Sequence, residues 1–324
     1  MKIVKLNTEA GNEKSIFKKY KGHFVTDDMY DEVLSPTEDT AIYKPDGVIQ
    51  QLSDGAPLAY IITNAYDDDV VRDCLYSITD NTTMRGNCSG PITPESLGHP
   101  EWVEGVDYKL RSPNTYQTKN KNGKWGMIAY ANPIQSVMIG YKRGRFTGAL
   151  GPSGWIEDNP ERYKILESIS DVNERAFMKA NLETALKQRN WAKTNINSKH
   201  LISGKGMFTT LSANRYHKDV TKQMSLHVDS GDADFGMTTM CVFRKGDYSG
   251  ANLVFPRFKI AIDAPDNCVV IADSKELHGV SPISGTGERF SCVAYCDTRV
   301  ATMGPTGKAE KLIGHHHRVK GLLE

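Results

Sequence analysis

Four polar residues in the last third of the chain have the types and spacing of a redox metal site. His227 and Asp229 stand two apart, His278 follows them, and Arg289 lies eleven residues further on. Two histidines and one carboxylate that leave coordination positions open form the facial triad of non-haem Fe(II) oxygenases. On an extended segment, side chains two apart point to the same face. His227 and Asp229 can therefore grip one ion together, with His278 arriving from a strand end across a barrel. The open positions would take dioxygen and a co-substrate. Arg289 offers what 2-oxoglutarate requires, a permanent cation whose planar fork can hold a carboxylate by both oxygens. Ser291, two residues on and on the same face, can donate its hydroxyl to that carboxylate. Singly, each residue has a plain structural reading: a strand end for His227 and Asp229, a hydrogen-bonded core histidine for His278, a surface ion pair for Arg289. Their joint placement at the edges of apolar β-segments favours chemistry.

The elements that must position them are short strands. Residues 238–244, 251–255, 259–263, 268–273 and 289–295 are β-rich and bounded by Gly, Pro, Asp or Asn, the pattern of antiparallel strands joined by tight turns. Residues 208–214 (FTTLSAN) alternate and should enter the same barrel. Asn214, at the end of this segment, either binds the co-substrate or the target base, or acts as a capping amide. The expected fold is α+β and mainly β: a double-stranded β-helix, an eight-strand jelly roll of two packed sheets, with helices against one face. Residues 55–64 read as a buried strand. Residues 67–78 read as a helix, with Asp67, Asp68 and Asp69 as favourable first-turn charge. Asn159-Pro160 is a good helix start, an amide cap followed by proline. The helical pattern then runs to about 194 in two pieces, with Tyr163, Leu166, Ile169, Val172, Phe177 and Leu182 as apolar positions. Residues 1–14 are expected to fray, and 16–34 fit helix or strand. Segments 125–131 and 136–140 read as outer strands of the same sheet system. This makes one domain of 15–305, with its core at about 205–300 and mixed and helical support over 15–200, followed by a tail of 306–324. The His315-His316-His317 run in that tail is expected to be no metal site.

Composition narrows the class. The 324 residues are 39% hydrophobic with a formal net charge of +1 and a mean hydropathy of −0.46. No global polybasic character marks a nucleic-acid binder, although local patches can suffice. No apolar run approaches a membrane span, and residues 1–18 are too polar for a signal peptide. A cytoplasmic monomer without membrane contact is the expectation. Six cysteines without a CxxC pair read as buried reduced thiols. Residues 109–124 mix lysine and arginine with Asn, Gln, Ser and Tyr, which suits either a solvated loop or an arm that tracks phosphates. Lys142, Arg143 and Arg145 beside Tyr141 form a second basic cluster, and Arg85 lies in a loop-like stretch, 82–100.

The motifs also resemble a known family. His227-x-Asp229, the run GDYSGANLVFP at 246–256, LHGV at 277–280 and ERFSCVAY at 288–295 are similar to the oxygenase domain of the TET/JBP dioxygenases. The likeness covers about 205–300 well and 129–181 loosely, and leaves residues 1–90 unmatched. Gly250-Ala251 stands where the family often has Gly-Gly. The resemblance implies Fe(II) on His227, Asp229 and His278, and 2-oxoglutarate held by Arg289 with Ser291 and Asn214. It implies O2-dependent hydroxylation of the 5-methyl group of a pyrimidine in DNA. The foremost substrate is 5-methylcytosine, taken to 5-hydroxymethylcytosine and further; thymine, in the JBP manner, is the near alternative. Arg85, Lys119, Lys121, Lys124, Arg143 and Arg145 become candidates for DNA contact. The residues by themselves leave open a hydroxylase of proteins or small molecules on the same metal site, and a non-catalytic jelly-roll binding protein.

Overall fold

The computed structural model describes residues 1–7, 10–21, 23–45, 57–80, 108–112, 115–119, 123, 125–129, 135–143, 150–217, 226–229, 231–232 and 237–301. In chain order the elements begin with β1 (Lys2–Lys5), α1 (Glu13–Tyr20), β2 (Glu32–Leu34), β3 (Thr40–Tyr43), β4 (Ala59–Thr63) and α2 (Val70–Asp80). A meander of β5 (Tyr108–Ser112), β6 (Thr115–Lys119) and β7 (Trp125–Ala129) precedes β8 (Gln135–Arg143) and β9 (Leu150–Pro152). Then come α3 (Gly154–Asp158), α4 (Pro160–Ala180), α5 (Leu182–Asn195) and β10 (Thr210–His217). The remainder is β11 (Thr238–Lys245), β12 (Tyr248–Gly250), β13 (Leu253–Phe255), β14 (Ile260–Ile262), β15 (Cys268–Ala272), β16 (Gly279–Val280), β17 (Ile283–Gly285), β18 (Glu288–Tyr295) and α6 (Thr298–Ala301).

Two sheets make the roll. The large one runs β1-β3-β4-β15-β11-β18-β10-β8-β9, and the small one β16-β13-β14-β2. Segment 226–229 joins the small sheet's side of the roll through a reciprocal backbone pair, His227 N–H to His278 O at 2.8 Å and His278 N–H to His227 O at 2.9 Å. Strands β15, β11, β18 and β10 thus face β14, β13, β16 and the 226–229 segment. This is the expected double-stranded β-helix, within a mainly β, α+β chain.

A period of two decides what each strand shows to either side. On β18, Phe290, Cys292 and Ala294 join an apolar cluster with the helices, whereas Arg289, Ser291, Val293 and Tyr295 line a cavity between the sheets. On β10, Leu211 and Ala213 pack outward, and Ser212, Asn214 and Tyr216 turn inward. The outer face is covered by α2 and α4, whose Leu75, Leu166, Ile169 and Phe177 are almost fully buried. The small sheet's outer face is covered by α1: Phe17 and Tyr20 pack with Leu226, Val228, Val254, Ala261 and Leu277. Most of the fold's stabilisation comes from such burial, at about 25 cal/mol per Å² of apolar surface.

Several expectations are corrected. The first residues do not fray: β1 pairs in parallel with β3, Lys2 against Thr40 through Lys5 against Tyr43, because Val4 and Leu6 reach the cluster between the sheets. The 16–34 stretch divides into the end of α1, a 3-10 turn (Asp27–Met29) and β2. Residues 108–112, 115–119 and 125–129 form a separate three-stranded sheet rather than a loop or part of the main sheet, while β8 does lie beside β10. Asn159 precedes Pro160 but makes no side-chain cap; its amide donates to Trp155 O at 3.0 Å instead. Leu182 is 57% exposed, since the break at Asn181 places it at the first position of α5, off the apolar face. Asp68 and Asp69 do serve the start of α2, Asp68 accepting the Val70 N–H at 3.0 Å. Cys74, Cys241, Cys268, Cys292 and Cys296 are free and buried; Cys88 and the histidine run of the tail lie outside the described residues. No described helix is long and apolar enough to cross a membrane.

Candidate active site

The inward faces of the two sheets enclose a cavity of about 380 Å³. At one end stand His227, Asp229 and His278, whose potential ligand atoms all lie within 4.8 Å of one another. His227 Nε2 is 3.4 Å from Asp229 Oδ1, and His278 Nε2 is 3.7 Å from Asp229 Oδ2. The two imidazole rings are 4.5 Å apart between centroids and tilted by 52°. Their backbone pairing explains this: bridged residues present neighbouring side chains on one face, and Asp229, two residues on, returns to that face. Among the described residues this is the one such cluster of His, Cys, Asp and Glu.

The segment 273–278 builds the metal end. His278 Nδ1 lies 2.9 Å from Glu276 O, which fixes Nδ1 as the protonated nitrogen and leaves the Nε2 lone pair toward Asp229. Ser274 O accepts the Asp229 N–H at 2.9 Å. Lys275 Nζ donates to Asp229 O and to Asp232 O, both at 2.7 Å. Behind the segment, buried Lys44 bonds Asp273 Oδ2 at 3.1 Å and Glu276 Oε1 at 2.8 Å. Arg257 reaches the same Glu276 oxygen at 2.9 Å. Burial would raise the Asp229 carboxyl, but the His227 hydrogen bond, the charge of His278 and Lys275 outweigh it and bring it down to about 2. Burial, then the neighbouring His227, push His278 below its ordinary range. At neutral pH the cluster is thus one carboxylate with a neutral His278, the protonation state a divalent cation requires. Asp232 moves the other way: burial and then the Asp229 charge lift it to about 8, and it accepts from Thr238 and Ser274.

The other end holds Arg289, 2% exposed, with no carboxylate in ion-pair range among the described residues. Its Nη1 donates to Ala251 O at 2.9 Å, its Nη2 lies 3.5 Å from Met240 Sδ, and its Nε has no described partner. The guanidinium sits 5.5 Å from the centre of the Tyr216 ring. Asn214 stands opposite Ser291 in the β10–β18 register; its amide donates to Ser212 O at 3.2 Å and its Oδ1 has no described partner. A buried unpaired charge costs several kcal/mol, so this arrangement suits an anion brought in from outside. Leu253, Phe255 and Val270 add apolar lining to the same cavity.

The structure therefore brings His227, Asp229, His278, Arg289, Ser291 and Asn214 around one cavity. Lys119 lies on β6 and Arg143 on β8; Arg85, Lys121, Lys124 and Arg145 lie outside the described residues. Sequence reasoning passed over Asp232, Ser274, Lys275 and Glu276, and the partners Lys44 and Arg257. A signal was available: the run Asp273-Ser274-Lys275-Glu276 separates an apolar strand from Leu277-His278, where a polar run of that length needs a surface or a purpose.

No protein-family model matches the chain, and no curated protein does. Among solved structures, NgTET1 in complex with 5mC DNA is similar at 12% identity over 90% of this chain and 93% of its own, with a TM-score of 0.48. A 2OG-Fe(II) oxygenase-family oxidoreductase from Burkholderia pseudomallei is 11% identical over 74% of this chain and 85% of its own, with a TM-score of 0.39. A viral collagen prolyl hydroxylase from Paramecium Bursaria Chlorella virus-1, in its 2OG complex, is 11% identical over 74% and 96%, at 0.36. Likenesses this faint carry no argument about activity, which rests on the residues themselves.

Proposed function

We propose that the protein is an Fe(II)- and 2-oxoglutarate-dependent dioxygenase that hydroxylates the 5-methyl group of a pyrimidine in DNA. In this reading 5-methylcytosine is the foremost substrate, taken to 5-hydroxymethylcytosine and further. The observation that carries the oxygenase reading is the buried Arg289, without a carboxylate partner among the described residues, in the wall of the cavity that His227, Asp229 and His278 also line. A metal site alone would suit many activities. A metal site sharing a cavity with a buried guanidinium that has no carboxylate among the described residues suits a metal together with a small dicarboxylate.

The donors fit the groups. His227, Asp229 and His278 would hold Fe(II), and Arg289, with Ser291 and Asn214 beside it, would hold the far carboxylate of 2-oxoglutarate. When bound, the pair would activate dioxygen, one atom entering succinate as the oxo acid loses carbon dioxide and the other entering an unactivated C–H bond. The protein's own part is positioning and exclusion. Glu276 O keeps the proton of His278 on Nδ1. The apolar side chains of Leu253, Phe255 and Val270 in the lining would limit water around the reacting atoms. Arg289, held by Ala251 O, fixes which end of the dicarboxylate faces the metal.

The DNA substrate is supported by the motif resemblance, and a base inside a duplex would have to be flipped out to reach such a cavity. Lys119, Lys121, Lys124, Arg85, Arg143 and Arg145 are the proposed strand contacts. Thymine, or a protein or small-molecule substrate on the same centre, is the alternative. Incubation with Fe(II), ascorbate, 2-oxoglutarate and methylated or unmethylated DNA, followed by nucleoside mass spectrometry, decides among them. A product one oxygen heavier than 5-methylcytidine supports the reading. A thymidine product moves the substrate to thymine. Succinate without a modified base sinks the DNA substrate and keeps the oxygenase. Neither product, in protein with iron bound, sinks the oxygenase.

A further inference from the structure

We infer that Lys275 is a positioning residue for the metal end, an ammonium that holds the Asp229–Asp232 turn in register with His278. The inference rests on the metal-site reading above and concerns how that site is kept open in the metal-free protein.

Several bonds locate the turn that follows His227: Gly231 O accepts from the Thr298 N–H at 2.8 Å and from its hydroxyl at 2.9 Å, Asp232 bridges Asp297, and the Asp232 carboxylate accepts from Thr238 and Ser274. Segment 226–229 is tied to the rest of the roll by the reciprocal His227–His278 backbone pair and by the Leu226 N–H to His23 O bond at 2.8 Å. Beyond Asp229 the chain leaves the sheet, with Asp232 N–H bonding back to Asp229 O at 3.1 Å. The Asp229 and Asp232 carbonyls at the two ends of this turn both point inward. Lys275 Nζ meets both of them at 2.7 Å. Its side chain is almost wholly buried, so its position is fixed by these contacts and not by solvent. The residue before it, Ser274, accepts the Asp229 N–H at 2.9 Å and bonds the Asp232 carboxylate at 3.2 Å. The residue after it, Glu276, sets the tautomer of His278. Three consecutive residues therefore reach both arms of the cluster, and Lys275 is the one whose side chain grips the Asp229 arm.

The segment that carries Lys275 is itself clamped. Asp273 Oδ1 accepts the Lys275 N–H at 3.0 Å, and the other Asp273 oxygen is held by Lys44 at 3.1 Å. Glu276 is held by Lys44 at 2.8 Å and Arg257 at 2.9 Å. An ammonium anchored this way ties the two carbonyls to the segment that carries His278. Lysine suits the task, because three donors on one nitrogen can serve two carbonyls at once, with no carboxylate that would compete for the metal. Groups of this kind behind metal ligands typically set metal affinity within about 10–100-fold.

The test is Fe(II) titration of the full chain under anaerobic conditions, with the metal alone as probe. It is paired with the melting temperature of the metal-free protein. Lys275→Met keeps the stem and removes the ammonium. Its Fe(II) affinity should fall by about 10–100-fold, while the metal-free protein, in which two buried carbonyls lose a donor, should melt only a few degrees lower and stay folded at the titration temperature. Lys275→Gln, whose neutral amide offers two N–H donors, should lie between the wild type and Lys275→Met, and it carries the comparison if Lys275→Met does not fold. Fe(II) affinity within twofold of the wild type in either variant overturns the assignment. So does an affinity that falls only at temperatures where the metal-free variant is already unfolding, which would mark Lys275 as structural only. A wild-type chain that binds no stoichiometric Fe(II) overturns the metal-site reading instead, and the two failures are distinct.

Discussion

The two ends of the cavity are built on opposite terms. At the metal end nearly every polar group is answered: Asp229 by Ser274 and Lys275, His278 by Glu276, and Glu276 by Lys44 and Arg257. At the arginine end a guanidinium of the same degree of burial has one carbonyl, one thioether and one ring face, and Asn214 Oδ1 lacks a described partner. The difference teaches what each end is for. A metal site must hold its ligands in place before the ion arrives, because ligand geometry sets affinity. A co-substrate site must keep its charge unpaid until the co-substrate arrives, because a resident carboxylate would occupy the fork. The first end is stabilised in the empty protein; the second is stabilised only when filled.

The most severe way to break this contrast is at its satisfied end. Asp229→Ala removes a ligand whose backbone is held independently by Ser274 and Lys275. Stoichiometric Fe(II) binding and 2-oxoglutarate turnover should be lost, with the circular dichroism spectrum unchanged. Turnover retained by this variant would remove the assignment of the cluster. Arg289→Leu attacks the unsatisfied end and should separate function from stability in the opposite sense. A bidentate charge-assisted pair is worth about 2–4 kcal/mol, so the KM for 2-oxoglutarate should rise by roughly 30–1,000-fold. The metal-free, co-substrate-free protein should melt at the same temperature or higher, since an uncompensated charge has left the interior. A co-substrate requirement that does not change, or a marked loss of apo stability, would show that Arg289 is structural. The wild type should also gain about 2.7 kcal/mol at a hundredfold excess of 2-oxoglutarate over its Kd, a gain the Leu variant lacks at the same concentration.

A smaller effect concerns pH at the metal end. Asp232, lifted from its ordinary 3.8 to about 8 by burial and the Asp229 charge, holds in the folded state a proton that the unfolded chain gives up. The folded state therefore binds more protons across that window, and the slope of stability against pH is negative there. In the metal-free protein this group's contribution to stability is fully present below about pH 4 and is lost as pH rises toward about 8. Asp232→Asn mimics the protonated form and should flatten urea-unfolding free energies between these limits. An undiminished fall in the variant would show that another group carries it.

The division between the ends also marks what the sequence could reveal. Arg289, Ser291 and Asn214 are legible because strand alternation is local: knowing that Phe290 and Cys292 face the helices is enough to turn their neighbours inward. His227 and Asp229 are legible for the same reason. The break between α4 and α5 is legible in Asn181, which caps α5 by accepting the Thr184 N–H at 3.0 Å. What could not be read depends on long-range pairing. Lys44 meets Asp273 and Glu276 across more than two hundred residues, and nothing around Lys44 predicts burial of an ammonium. Strand β1 is polar at both ends and earns its place only through parallel pairing with β3. The Asp-Ser-Lys-Glu run at 273–276 carries the composition of a surface turn, yet each of its residues is buried.

The smallest effect tests whether the arginine end is held under strain. Gly250 and Ala251 both have positive φ, +82° and +54°. At Gly250 only glycine fits, since a Cβ would stand 1.8 Å from Pro282 O. Ala251 adopts a left-handed conformation that costs a non-glycine residue roughly 1–2 kcal/mol. Two bonds hold it there: its N–H donates to Pro282 O at 2.9 Å, and its carbonyl accepts from Arg289 Nη1 at 2.9 Å. Ala251→Gly relieves the strain but adds freedom to the unfolded chain, worth about 0.4–1 kcal/mol in the other direction. The net should be a stabilisation of about 1 kcal/mol or less, read by chemical denaturation. The KM for 2-oxoglutarate should stay within a few-fold, because the carbonyl that aims Arg289 belongs to the backbone and survives the exchange. A large rise in KM would mean that the alanine methyl, packed with Tyr216, Val280 and Ile283, holds the arginine in place. The unsatisfied end would then be preorganised by apolar packing where the metal end is preorganised by hydrogen bonds.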